Sequence, residues 1–148
     1  MIPPDMPVVC FGLRSRMAAR AVTRACNAAL RPLDLQITQF SLLAAISLVS
    51  DDSIATRAER LDIEPSTLLR NLDVLEARGL VAADGGRGRR GRRYALTAEG
   101  EALLMRALPV WRQVQDRFAA MLGEQAQDVR AGLRRLENAA LQLEKELA

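Results

Sequence analysis

Residues 85–93 hold five arginines, Arg87, Arg89, Arg90, Arg92 and Arg93, and no acid. Glycines at 85, 86, 88 and 91 give the run the freedom of a turn. Five like charges on one exposed hairpin repel one another. A polyanion relieves that repulsion and releases counterions in exchange, and a narrow A·T-rich minor groove attracts such arginines most strongly. A short way upstream, Ser66, Thr67, Arg70, Asn71 and Asp73 fall largely opposite Leu68, Leu69, Leu72 and Leu75 at helical spacing. Hydroxyls suit phosphate oxygens, and Arg or Asn can address base edges. Alone, that face also reads as a solvated helix surface. The basic turn that follows it is what points to nucleic acid.

Other chemistries find little support. Gly86, Gly88 and Gly91 match G-x-G-x-x-G, yet a dinucleotide loop opens a helix and a strand follows here. The chain has no histidine, which removes Ser-His-Asp and Cys-His sites and most zinc sites. No metal, cofactor or catalytic residue is expected, and a thiol enzyme would lack a base beside its cysteine. Cys10 stands near a helix start with Arg14 one turn on, two features that favour a thiolate. It is the candidate redox residue. Cys26, beside Val22 and Ala29, reads as a small core hydrophobe. A separation of sixteen residues along one helix puts the two cysteines about 24 Å apart, far beyond the roughly 7 Å that a disulfide tolerates.

The charge is local. The net charge is +3 over 148 residues, less than the basic turn carries alone, so the remainder is slightly acidic. Localised charge suits one nucleic-acid footprint. Arginine dominates the basic residues, with Lys145 the single lysine, and that bias carries no functional weight. No apolar run reaches the roughly 18 residues that span a bilayer, and no signal peptide pattern opens the chain. A cytoplasmic protein without membrane contact is the expectation.

Elements must position these groups. Ile54, Ala55, Ala58 and Leu61 mark a short helix after cap residues at 51–53. Pro65 opens a second helix and Gly79 stops it. Strands are expected at 80–83 and 93–96. Residues 53–96 therefore read as a winged helix-turn-helix. Before it, three prolines in 1–7 suggest an ordered arm or a frayed end, and one helix is expected from about Val9 to Leu30, ended by Pro32. Thr38 is the expected cap of a helix apolar nearly all round, with Ile37 stapled to Leu42. After it, Thr97 caps a long helix with Leu104, Ala107, Leu108, Trp111, Val114 and Phe118 on one face, Pro109 kinking it and Gly123 ending it. Val129, Leu133, Leu136, Ala140, Leu143 and Leu147 then form a seam that suits a facing helix. Either the terminal helices pack on each other, or they meet a second copy. One 148-residue core would struggle to cover both faces, which favours a homodimer. The fold class is mainly α with a small β-hairpin wing: one domain over 1–148, with dimerisation helices at 9–31 and 97–147.

This order of elements resembles the MarR family of bacterial transcriptional regulators. Residues 35–43 (LQITQFSLL) are similar to its second-helix opening. Residues 66–81 (STLLRNLDVLEARGLV) are similar to its recognition helix and following strand, and residues 94–100 (YALTAEG) to the end of its wing and the start of its long helix. The resemblance as a whole covers about residues 10–147. The resemblance implies a dimeric repressor, or less often an activator, on an inverted-repeat operator in double-stranded DNA. By position it gives Ser66 and Thr67 phosphate contacts, Arg70 and Asn71 base contacts, and Arg90 entry into the minor groove. The family's aspartate two residues before that arginine is Gly88 here, so Arg87, Arg89 and Arg92 are expected to share its role. The resemblance also implies release by a small effector, with Phe11, Met17, Phe40, Leu43, Trp111 and Gln115 as pocket candidates, or by oxidation of Cys10. Ordinary core packing is the competing account of each pocket residue. The competing function is a helical protein–protein module without DNA binding, which an arginine-rich wing disfavours.

Overall fold

The structure, a computed structural model, describes residues 4–48, 56, 63–84 and 92–148. It comprises two compact units, Met1–Trp111 and Arg112–Ala148. In the first unit, α1 (Met6–Val9) and α2 (Phe11–Leu30) precede α3 (Ile37–Leu48) and α4 (Pro65–Ala77). Antiparallel strands β1 (Val81–Asp84) and β2 (Arg93–Leu96) follow. Helix α5 (Ala98–Leu122) begins in this unit and continues into the second, which also holds α6 (Ala126–Leu147).

Local chemistry moves some boundaries away from the sequence reading. The helix expected from Val9 is broken at Cys10, whose ψ of 105° is extended. Pro7 stands in the first turn of α1, where its missing N–H costs nothing. Met6 and Pro7 thus belong to a short helix rather than an arm. Cys10 then caps α2, its Sγ accepting the Leu13 N–H at 3.4 Å. Thr38 is not the cap of α3, because the helix starts one residue before it. Gln39 reaches back to accept the Gln36 N–H at 3.0 Å, and Asn27 on α2 accepts the Ile37 N–H at 2.8 Å. Side chains thereby satisfy two N–H groups that a helix start leaves without partners. The helix expected from Ile54 to Leu61 lies outside the described residues except for Thr56, which is helical.

The end of α4 meets the start of α5 at one tight junction. Gly79 has φ +70°, and its N–H donates to the Glu76 carbonyl while Leu80 N–H donates to that of Leu75, both at 2.9 Å. This pair of bonds is a Schellman ending, which favours glycine at the left-handed position. The Thr97 hydroxyl donates to the Gly79 carbonyl at 2.6 Å and accepts the Gly100 N–H at 3.1 Å. Thr97 N–H donates to the Leu80 carbonyl at 3.1 Å. A methyl group on Gly100 would lie 2.0 Å from the Leu80 oxygen.

The core of the first unit lies between α3, α4, the hairpin and α5. Phe40, Leu42, Leu43 and Ile46 bury the expected apolar helix, and Leu68, Leu72 and Leu75 bury one face of α4. Tyr94, Leu103, Leu104 and Ala107 complete it. Leu103 was not on the expected face of the long helix; it is buried because the core meets α5 broadly at its first turns. Pro109 lies inside α5 as expected. In the second unit no described side chain is buried, and Leu133, Leu143 and Leu147 of the seam are exposed.

The junction generates a stability prediction. Gly100→Ala must push backbone apart and should cost about 3 kcal/mol. Thr97→Ala removes a cap and should cost about 1 kcal/mol. Urea melts of the two variants check both the size and the order.

Candidate nucleic-acid interface

Burial of three leucines fixes the roll of α4. Leu68, Leu72 and Leu75 are fully buried, so residues half a turn away must face outward. Ser66 and Arg70 do so and are exposed. Thr67 is half-buried on one flank, and Asn71 is half-buried on the same flank, closer to the core. The outer face is polar only over the first turns; Val74 and Ala77 occupy it later. Arg70 is not left to wander. Its Nη2 donates to Thr67 Oγ1 at 3.2 Å.

A second arginine ties the far end of α4 to the element behind it. Arg78 Nη1 donates to Gln39 Oε1 at 3.5 Å, and Nη2 lies 3.5 Å from Asp34 Oδ2. Asp34 holds a left-handed φ of +49° in the turn before α3. Sequence reasoning passed over Arg78, Asp34 and Gln39. A basic residue just before a helix-ending glycine was the available signal, since it can serve the last carbonyls or a neighbouring acid.

The base of the wing is clear. Val81 pairs with Leu96, Ala82 with Ala95, Ala83 with Tyr94 and Asp84 with Arg93. Tyr94 points into the core, while Arg93 and Ala95 face out. Alternation of one buried ring and two outward neighbours anchors the hairpin root. Arg92 is half-buried just before β2. Arg87, Arg89 and Arg90 lie outside the described residues.

The pocket candidates occupy different surroundings. Phe40 and Leu43 are core residues, and Trp111 stacks on Phe40 with ring centroids 5.9 Å apart at 23°. Phe11 (74% exposed) and Met17 are on the open part of α2. Gln115 is half-buried in the second unit. None of the six lines the cavity of about 620 Å³ formed by the end of α2, the start of α3 and the end of α4. That cavity is bordered by Arg24, Asn27, Asp34, Gln39 and Arg78.

The cysteines differ as expected in burial. Cys10 is half-buried at the start of α2, whereas Cys26 is buried and its pKa is pushed up by desolvation. Both are free thiols. Among the described residues no cluster of His, Cys, Asp and Glu could hold a metal ion, and no helix is long and apolar enough to cross a membrane.

No family model matches the chain, and no curated protein does. Solved structures do. The Mycobacterium tuberculosis transcriptional regulator MosR is 40% identical, covering 90% of this chain and 97% of that chain at TM-score 0.80. MosR in complex with DNA has the same identity and a TM-score of 0.81, covering 90% of this chain and 98% of that chain. The transcriptional repressor CouR bound to a 23-mer DNA duplex is 26% identical, covering 95% of this chain and 99% of that chain at TM-score 0.77. A MarR-family regulator from Rhodococcus sp. RHA1 is 25% identical, covering 83% of this chain and 89% of that chain at TM-score 0.70. A helix α4 locked by its leucines, a hairpin rooted at Tyr94 and 40% identity to MosR over nearly the whole chain lead to one assignment: this chain belongs to the MarR family of transcriptional regulators.

Proposed function

We propose that this protein is a sequence-specific DNA-binding repressor, acting in the cytoplasm as a homodimer on an inverted-repeat operator. The observation that carries the reading is the outer face of α4, where Ser66, Thr67 and Arg70 stand together on the first turns. The N-terminal part of such a helix is what reaches base edges when a helix enters a major groove. Arg70 is the base reader, with Asn71 beside it, and Ser66 and Thr67 lie at phosphate height. The arginines at 87, 89, 90 and 92 supply attraction to the neighbouring minor groove. MosR and CouR, both solved on DNA, are consistent with this role. Genome-wide recovery of bound DNA tests it directly: an enriched palindromic site is expected, and random genomic coverage would refute it.

The dimer rests on apolar surface that the described protomer leaves open. Leu133, Leu143 and Leu147 on α6 and Phe11 on α2 are exposed, an arrangement that costs free energy in water unless covered. A second copy related by a two-fold axis covers self-complementary faces of this kind. Release from DNA follows from a small effector, for which the exposed Phe11 and Met17 on α2 are the accessible candidates, or from oxidation of Cys10. CouR has been solved with p-coumaroyl-CoA, so a repressor of this fold can bind a small molecule.

Three outcomes are expected. Arg70→Ala relaxes sequence preference, losing about 1–3 kcal/mol at the base it reads, whereas Arg90→Ala weakens binding evenly; competition assays on specific and random duplexes separate them. Sedimentation at micromolar concentration gives a dimer. Dilute peroxide releases DNA from the wild type and from Cys26→Ser but not from Cys10→Ser; an unresponsive wild type assigns the signal to a small molecule instead.

A further inference from the structure

We propose that Thr67 is a specificity-determining positioning residue, holding Arg70 in the pose from which its guanidinium addresses a base. The inference rests on the reading of α4 as the helix that enters the major groove, and it departs from a simple phosphate contact for Thr67.

The physical case begins with the arginine. A guanidinium reads a base through two parallel N–H bonds in one plane, so its plane must be set as well as its position. Arg70 is exposed, and a free arginine on a helix surface samples many rotamers that must be given up on binding. Thr67 removes part of that cost beforehand. It lies one turn earlier on α4, half-buried on the flank, and its Oγ1 accepts from Arg70 Nη2 at 3.2 Å. Threonine is β-branched and in a helix divides between only two χ1 rotamers, so its hydroxyl is a far more restricted anchor than a second flexible arm would be. A bond to Nη2 leaves other N–H groups of the guanidinium available, because arginine carries five donors and the contact uses one. The hydroxyl also keeps its own hydrogen, which a phosphate oxygen can accept. One side chain can therefore link the backbone contact to the base contact and set the arginine's direction relative to the phosphates.

A positioning role and a direct phosphate role predict different data. A lost phosphate contact weakens specific and random DNA alike. A lost anchor lowers the preference for the duplex that Arg70 reads, beyond any equal loss on both duplexes from the phosphate bond of the same hydroxyl. Thr67→Val keeps the shape and removes the hydroxyl; Thr67→Ser keeps the hydroxyl; Thr67→Ala is a second loss variant with no added bulk. Each is made with and without Arg70→Ala. The probes are a duplex selected by the wild-type protein from a random-sequence library and a shuffled duplex of the same composition.

Thr67→Val and Thr67→Ala should lower the ratio of affinities for the two duplexes by about three- to tenfold, the cost of fixing one rotamer-rich side chain. Thr67→Ser should retain the wild-type ratio. In the Arg70→Ala background, Thr67→Val should lower the ratio no further, and melting temperatures should be unchanged throughout. Equal weakening on both duplexes overturns the proposal and makes Thr67 a phosphate contact. An unchanged ratio in Thr67→Val, or the same loss with and without Arg70, also overturns it. If Arg70→Ala itself leaves the ratio intact, Arg70 is not the base reader, and that reading falls together with the proposal. If Arg70→Ala lowers the ratio and Thr67→Val does not, the proposal falls alone.

Discussion

The approach of Gly100 to the Leu80 carbonyl is the constraint on which the rest of the site depends. Without a Cβ at that position, the first turn of α5 rests directly on the chain leaving α4, where a methyl group would lie 2.0 Å from the Leu80 oxygen. Thr97 locks the contact from the other side, donating to Gly79 and capping α5 with one hydroxyl. The end of α4, β1, β2 and the start of α5 all converge there. None of these bonds involves an ionisable group, so the junction holds over a wide pH range. The wing root and α4 therefore keep a fixed relation whatever happens to the charges they carry.

Magnitudes decide what sets the pose of α4. Each buried leucine on its inner face contributes on the order of 1.5–3 kcal/mol relative to exposure, and three are fully buried. The Arg78–Asp34 pair is 3.5 Å long with a fully open carboxylate, and such surface pairs contribute little. Burial thus fixes the roll of the helix, while Arg78, through Gln39, trims its aim against α3. A change at Asp34 would alter orientation far more gently than a change at Leu72.

Periodicity made the large elements legible. The leucine spacing in 68–75, the glycine stop at 79, the cap at Thr97 and the strand at 93–96 all appear where residue types demand them. Boundaries governed by a single side chain were harder to read. A thiol capping a helix is unusual, so the break at Cys10 carried no familiar signal. Thr38 looked like a better cap than its neighbours, but Asn27, ten residues away, satisfies the Ile37 N–H and starts α3 earlier. Tertiary partners of that kind leave no mark on local sequence. The Thr67–Arg70 bond was hidden for a related reason: both residues suited DNA contact singly, and only the folded helix shows them hydrogen-bonded to each other.

Charge and geometry divide the labour of binding. The net charge is +3 while five arginines crowd residues 85–93, so the excess of positive charge is concentrated in that turn. Attraction by those arginines scales with the phosphates neutralised and falls steeply with salt, but it is nearly blind to sequence. It can bring the protein to any duplex. Under the function proposed for α4, discrimination comes from a few side chains on its first turns, each worth only a modest factor per base. A reader that small gains most from being held still. On the proposed role of α4, the buried leucines and the close Gly100–Leu80 contact serve to hold those few side chains in place, while an arginine-rich turn supplies attraction that is nearly blind to sequence.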